Sequence, residues 1–296
     1  MPTAVTRVGG NLPNGNFIPE VWSKKLQAKF YASTCLAEVT NNDWEGEIKA
    51  RGSKVQIRVR PTIVVEDYDV NGVINYQDLE DDKIELTIDR AKYTAFKVDD
   101  VDAAQADIKI VNESTQDGAE QMTIKVEKDV FGSVYADATT QFTNTQITKD
   151  TVMDWLIDLE TTLDDLNIPY GRRFVVLPNW VAGFIKKSDL VDASITHGDL
   201  SLVTAKGAAN AGLQASNGYM GMISNFRLYK SNNLTTDGTN WHAISGSIDA
   251  ITFASQFTKS ETIRLQDTFG DAIRSLKVYG FKTVAPDALV HAEVHK

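Results

Sequence analysis

The 296 residues suffice for one large domain or two modest ones, and a hydrophobic fraction of 42% permits a packed core, which excludes a wholly disordered chain. A formal net charge of -10 disfavours nucleic-acid binding unless cations gather in one place, and the one short basic cluster, Lys49 to Arg60, adjoins acidic sequence. The single cysteine, Cys35, excludes an internal disulfide, and no apolar run approaches the roughly 20 residues that cross a bilayer.

Met1 to Asn16 hold "GG" and "NLPNGN" with little apolar content and read as a flexible arm. The stretch to Phe17 lacks the apolar centre of a signal peptide, so the chain is expected to work in a cytoplasm or in something assembled there. Pro19 stands at the head of a helical spacing over Glu20 to Val39, marked by Val21, Trp22, Leu26, Phe30 and Leu36. Cys35 lies in it beside Leu36 and Ala37 and is expected to be a buried thiol acting as a small hydrophobe.

The period then changes. Val55, Ile57 and Val59 alternate with Gln56, Arg58 and Arg60, and Ile84, Leu86 and Ile88 alternate with Glu85, Thr87 and Asp89. This predicts a long two-stranded hairpin with an elaborate acidic tip (Glu66, Asp67, Asp69, Asp78, Glu80, Asp81, Asp82) and a basic first strand (Lys49, Arg51, Lys54, Arg58, Arg60). A lone hairpin is marginally stable in water, so cover is expected from the rest of the chain or from a neighbouring copy.

Val101, Ala104, Ile108, Val111, Met122, Val126 and Val130 recur at helical steps and predict a long helix over Val101 to Val134. Its stripe weakens at Thr115 to Gly118, where two shorter helices broken at Asp117-Gly118 are the alternative. Asp107, Lys109, Glu113, Gln116, Glu120, Lys125, Glu127 and Lys128 read as an exposed or partly covered face. Val152, Trp155, Leu156, Leu159, Leu163 and Leu166 form one apolar helical face, with Thr148 or Asp150 as cap and an end near Asn167 imposed by Pro169. A buried strand at Phe174 to Leu177 follows, then a short helix opened by Pro178 and Asn179 with Val181, Phe184 and Ile185 inward. Ala205 to Gly221 and Ser231 to Asn240 read as loops, and Phe226 to Tyr229 as a strand. Ser247 to Phe257 is mixed, Ala272 to Val284 is a core strand region, and the tail after Pro286 is short and polar.

Chemistry-bearing patterns are sparse. His291 and His295 flank Glu293 in "HAEVH", which lacks the order of a zinc-protease helix, while His197 and His242 have no cysteine near enough for a structural zinc site. "GAANAG" at Gly207 to Gly212 lacks the lysine of a phosphate loop, and "SGS" at Ser245 to Ser247 is no serine elbow. Glu160 and Asp164 read as a solvated helix face, and the aromatic residues do not alternate with cations as a single-strand stacking surface would. No catalytic, cofactor or metal site is expected.

Several phrases carry a resemblance: "FIPEVWSKKLQAKFYAST" at Phe17 to Thr34, "GSKVQIRVRP" at Gly52 to Pro61 and "TLDDLNIPYGRRFVVLPNWVAGFIK" at Thr162 to Lys186. "GYMGMISNFRLYKSNNL" at Gly218 to Leu234 and "DTFGDAIRSLKVYGFKTVAPDAL" at Asp267 to Leu289 complete it. In this order the chain resembles the major capsid proteins of tailed bacteriophages, whose fold is shared with encapsulin shells and herpesvirus capsid floor domains. The resemblance implies an α+β fold. Its expected parts are an arm and short helix over 1–48, an extended hairpin loop over 49–98, a peripheral domain with a long spine helix over 99–147 and 258–296, and an apical domain over 148–257. It implies a late structural protein, not an enzyme, that self-assembles into pentamers and hexamers of an icosahedral virion shell in the host cytoplasm. Expected partners are copies of itself, a separate scaffolding protein, a portal protein and packaged double-stranded DNA held without sequence specificity, with no membrane. Some members crosslink a hairpin lysine to a neighbour's asparagine; Lys83 and Lys92 are nearby lysines here but carry no further sign of that chemistry.

Val55, Ile57, Arg58, Val59 and Arg60 are the residues expected to contact a neighbouring subunit, the valines and isoleucine by burial and the arginines by meeting acidic groups. The competing readings are an encapsulin-like nanocompartment shell, a tail-tube or decoration protein, against which the long helix argues, and a soluble α+β enzyme.

Overall fold

The structure is a computed structural model and describes residues 32, 34–44, 54–59, 63–67, 76–78, 83–99, 109–188, 218–223, 225–266 and 269–296. Outside them lie the arm, the first helix before Leu36 apart from residues 32, 34 and 35, Lys49, Arg51, Arg60, Asp69, Glu80 to Asp82, the start of the long helix before Lys109, His197 and the Gly/Ala-rich stretch up to Asn217.

The fold is α+β. In chain order its elements are α1 (Leu36–Val39), β1 (Lys54–Arg58), β2 (Lys83–Thr87), β3 (Arg90–Asp99), α2 (Lys109–Val134), β4 (Thr140–Gln146), α3 (Val152–Asp165), β5 (Arg173–Leu177) and α4 (Asn179–Lys187). There follow β6 (Tyr219–Ile223), β7 (Phe226–Lys230), β8 (Trp241–Ser247), β9 (Ile251–Arg264), β10 (Gly270–Thr283) and β11 (Leu289–His295). They form a six-stranded sheet in the order β4-β11-β8-β5-β7-β6, a three-stranded sheet β3-β10-β9 and the two-stranded ladder β1-β2.

The six-stranded sheet is mixed: β4 runs parallel to β11 and β5 parallel to β7, and the other pairs are antiparallel. Every residue of β5 is buried, because the strand is covered on both faces. Val175 and Leu177 pack with Val152, Trp155, Leu156, Leu159 and Leu163 of α3 and with Val181 and Ile185 of α4. Phe174 and Val176 point the other way, toward Val126, Val130, Phe131 and Val134 of α2. Each such side chain contributes about 1.5–3 kcal/mol by leaving water.

Helix α3 follows its predicted stripe except at Leu166, which lies past the last turn and is exposed. Asn167 takes the left-handed conformation (φ 57), and Ile168 N–H donates to the Leu163 carbonyl at 3.0 Å, closing the helix. Thr148 caps indirectly by exchanging hydrogen bonds with Thr151, which holds the N-cap position. The buried Arg173 guanidinium pins the following turn: it lies 2.7 Å from the Asp164 carboxylate, donates to the Ile168 carbonyl and stacks over Tyr170.

The two alternating runs pair as a hairpin, β1 with β2 over Lys54–Arg58 and Lys83–Thr87; the chain then bends at Ile88 and Asp89 and β3 joins β10 in a separate sheet. The extended segment continues through the bend, so alternation alone does not reveal the change of partner. Two sequence expectations are corrected. The tail after Pro286 is a buried strand: β11 lies between β4 and β8, with Leu289 to Ala292 and Val294 inside. Pairing along both edges, and not apolar content, places it there. Glu127, expected on an exposed face, is fully buried (0%). The six-stranded sheet thus draws β4 and β11 from beyond the 148–257 segment, while β9 starts inside that segment and leaves for the other sheet.

Helix α2 runs unbroken for 26 residues, about 39 Å, through Gly118. Gly118 lies against Thr94 of β3, where an added methyl would sit 3.4 Å from the Thr94 hydroxyl. The glycine therefore marks a close approach of helix to sheet. On the same side Asp129 accepts from Tyr279 at 2.6 Å and pairs with Arg90 at 2.9 Å, and Arg90 lies over the Phe281 ring. Burial pushes the Asp129 carboxyl up, but the hydrogen bonds from Tyr279 and Arg90 and the charges of Arg90 and Lys92 outweigh it and hold it below its ordinary value.

The base of the β1-β2 ladder crosses β10 at Gly280. A Cβ there would fall 2.2 Å from the Thr87 carbonyl oxygen and 2.9 Å from the Ile88 Cα. Gly280→Ala should lower stability by about 1–3 kcal/mol through overpacking against backbone. Gly183→Ala, on α4 with nothing within 4 Å of the added methyl, should be neutral or raise it by up to about 1 kcal/mol. Urea unfolding midpoints of the two variants check the pair; equal effects would contradict this packing account.

Candidate assembly surfaces

The residues expected to meet a neighbour separate on inspection. Ile57 is buried (4%) inside its own chain, against Leu86, Ile88 and Ala254, with Val55, Ile84, Trp44, Val278 and Val284 packed around them. Val55 and Val59 are half-buried, and Arg58 is exposed at the end of β1 opposite Lys83. Arg60 lies outside the described residues. Within the single chain β2, β9 and β10 already supply much of the cover of Ile57, while Val55 stays half-buried. Lys54 pairs with Glu85 across the ladder, and the hydrogen bond from Lys54 holds the Glu85 carboxyl below its ordinary value.

Two other surfaces remain uncovered in the single chain. Beyond the ladder, Ile63, Val64, Val65 (92%) and Tyr76 (91%) stand in solvent beside Glu66, Asp67 and Asp78. The second surface is one face of the three-stranded sheet. The register aligns Tyr93 with Leu276 and Lys259, Ala95 with Arg274 and Glu261, and Lys97 with Ala272 and Ile263. Tyr93 (77%), Leu276 and Ile263 are exposed there, and Phe269 projects at the turn between β9 and β10. Arg274 donates to Glu261 at 2.7 and 3.0 Å, so this face holds apolar residues and an ion pair together. Helix α2 occupies the opposite face, through Thr94, Arg90 and Tyr279. Tyr93, Leu276 and Ile263 thus lie together on an exposed face rather than scattered singly. Sequence alternation could not find it, because Tyr93 and Leu276 fit a buried strand face equally well.

Chemistry-bearing side chains take structural roles. Asp164 pairs with Arg173, and Glu160 accepts from Asn225 at 2.7 Å, so the two carboxylates do not converge. Ser245 and Ser247 are buried in β8, where Ser245 donates to the Val290 carbonyl. Among the described residues no group of three or more His, Cys, Asp or Glu could hold a metal, and no helix is long and apolar enough to cross a membrane. One unforeseen cluster is His242 and His291, whose Nδ1 and Nε2 lie 2.9 Å apart. His242 stacks on Tyr135 at 4.3 Å, and Glu293 beside them accepts from Asn240 at 2.5 Å. Burial, then the neighbouring His242, push His291 down to about 4, against the opposing pull of Glu293.

The family described as Phage capsid protein matches residues 84–292. A solved structure from Mycobacterium phage Che8 is similar at 29% identity and a TM-score of 0.75, covering 94% of this chain and 97% of that one. The capsid of Cyanophage P-SCSP1u matches with a TM-score of 0.74 at 11% identity, over 99% and 100% of the two chains. That of Ralstonia phage GP4 matches with a TM-score of 0.68 at 11% identity, over 99% and 98%. The last two likenesses establish the fold alone. No curated protein sequence matches.

The histidine pair predicts an acid-sensitive seam between β8 and β11. The folded chain holds His291 neutral down to about 4, whereas the unfolded chain takes up that proton near 6.5. Stability is therefore full above 6.5 and declines as pH falls toward 4. The urea midpoint should drop across that window, and His291→Gln should make the profile flatter. An unchanged slope in the variant would contradict the assignment.

Proposed function

The chain belongs to the phage capsid protein family, and from that premise we propose that it is the major capsid protein of a tailed phage. In this role it assembles as pentamers and hexamers into an icosahedral shell around double-stranded DNA. The observation that carries the reading is the likeness to the Mycobacterium phage Che8 structure over nearly the full length of both chains. The uncovered face of β3-β10-β9 and the apolar, acidic tip beyond the β1-β2 ladder support it, since copies of the chain would supply the missing cover.

In that assembly the segment from Gly52 to Ile88 is the extended loop, α2 with the three-stranded sheet the peripheral domain, and the six-stranded sheet with α3 and α4 the apical domain. The loop lies on a neighbouring subunit, and Arg58 and Arg60 set its register against acidic groups there. Opposite charges at such a contact suppress wrong pairings more than they add affinity. The partners are copies of the chain, scaffolding and portal proteins, and DNA held without sequence reading, and no catalytic step is involved. A charge of -10 per subunit leaves duplex DNA mobile at the inner wall.

Light scattering should give rings and closed particles for the wild-type chain. Arg58→Glu with Arg60→Glu should leave circular dichroism unchanged and block or misdirect assembly. Normal particles from the double variant would remove the loop contact from this account, and a wild-type chain that stays monomeric at high concentration, and also when co-expressed with its scaffolding protein, would remove the shell itself. Nucleic acid in particles purified from infected or expressing cells distinguishes a genome shell from an encapsulin-like compartment, which would hold a cargo protein instead. The assembly-incompetent variant should bind duplex DNA more weakly than about micromolar at physiological salt; tighter, steeply salt-dependent binding would expose a basic wall.

A further inference from the structure

The buried Glu127 carboxylate is used by no surface described above. Its Oε2 accepts from the backbone N–H of Cys35 at 2.8 Å and of Leu36 at 3.2 Å, and its Oε1 from the Ser231 hydroxyl at 2.9 Å and the Asn233 amide at 3.0 Å. Three segments far apart in sequence therefore meet on one side chain of α2: the stretch leading into α1, the helix, and the loop after β7.

We infer that Glu127 is a positioning residue: it clips the chain at Cys35 and Leu36 to its own subunit before any other copy binds, and it couples that clip to the seat of the 231–233 loop. The functional weight of this inference rests on the capsid reading, because in a shell the register of residues 35–41 on their own subunit is part of the surface that other copies meet.

The geometry supports it in three ways. First, the apolar contacts of Cys35, Leu36 and Val39 with Val126, Val130 and Phe131 hold the segment to the body but tolerate sliding. Hydrogen bonds to two successive amides do not, so the carboxylate fixes the register. Second, the described partners of Glu127 all donate, which suits the ionised form. Burial holds the carboxyl above its ordinary value, and the bonds from Asn233, Ser231, Cys35 and Leu36 offset only part of that rise. A side chain of the same shape that brings its own N–H would meet donors at one end. Third, the segment is held again further on, where Asn41 donates to the Ile251 carbonyl at 2.8 Å and accepts from Phe253 at 2.9 Å along β9. Residues 35–41 are thus fixed at both ends within one chain. The clip uses backbone donors on the arm side and side chains on the loop side, so it depends on Ser231 and Asn233 more than on the identities of Cys35 and Leu36.

Cys35 reports on the clip, since it is the only cysteine and is buried beneath Glu127. The unassembled full-length subunit is treated with a maleimide at neutral pH, and the labelling rate is compared with that of the urea-unfolded chain. Wild type should label far more slowly than the unfolded chain. Glu127→Gln should label about tenfold faster or more. Asn233→Ala, which removes a donor to Glu127 Oε1, should also accelerate labelling, by a smaller factor. Glu120→Gln, half-buried on the same helix and bonded to Gln116, should leave the rate unchanged. Circular dichroism and the unfolding midpoint accompany each variant. If Glu127→Gln does not fold, Asn233→Ala and Ser231→Ala carry the test alone. A wild-type Cys35 that labels as fast as the unfolded chain and is protected only in assembled particles would overturn the inference, as would wild-type rates in all the folded variants. The measurement needs no shell, so a chain that labels as expected and never assembles would leave the clip standing and remove only the capsid reading.

Discussion

Helix α2 has to serve two sheets at once. Met122, Val126, Val130, Phe131 and Val134 are buried, the last four beneath the six-stranded sheet, while Gly118 and Asp129 meet the three-stranded sheet along another side. A single helix can cover only one face of β3-β10-β9, and the far face, with Tyr93 and Leu276, is left open. The same constraint explains the polar groups on the helix. Glu127 and Asp129 lie two positions apart and point into different environments, one gathering loop and arm donors, the other gathering Arg90 and Tyr279. A buried charge such as Glu127 is held by geometry and favours a unique arrangement more than it favours stability.

Much of the six-stranded half was legible in the sequence. The stripe from Val152 to Leu163 and the run Phe174 to Leu177 are local signals, and local signals survive folding when both faces of a strand or one face of a helix are buried. What the sequence concealed was pairing. The alternation of Ile84, Leu86 and Ile88 does not say that the chain changes sheets two residues later, and "HAEVH" does not look like an interior strand until β4 and β8 flank it. Glu127 was misplaced because a helix position next to Val126 reads as the edge of a polar face, and its partners lie 91 to 106 residues away. The candidate contact residues divided for the same reason. Ile57 has the pattern of an uncovered strand, but its cover comes from Ala254, almost 200 positions along the chain.

The surfaces that stay open are those a shell would close. The tip beyond the ladder joins bare aliphatic side chains to carboxylates, and the open sheet face joins Tyr93 and Leu276 to Arg274, Lys97 and Lys259. Apolar area provides the drive for association, and opposite charge provides the choice of partner. Under the proposed function, the acidic balance of the chain then serves a separate purpose at the inner wall, where binding DNA tightly would hinder its movement. Electron cryo-microscopy of particles formed by the purified chain tests this account most directly. The account predicts closed shells in which the stretch around Ile63 to Val65 lies on another copy and the Tyr93 face of the three-stranded sheet is covered by one. Shells in which both surfaces face solvent would contradict it.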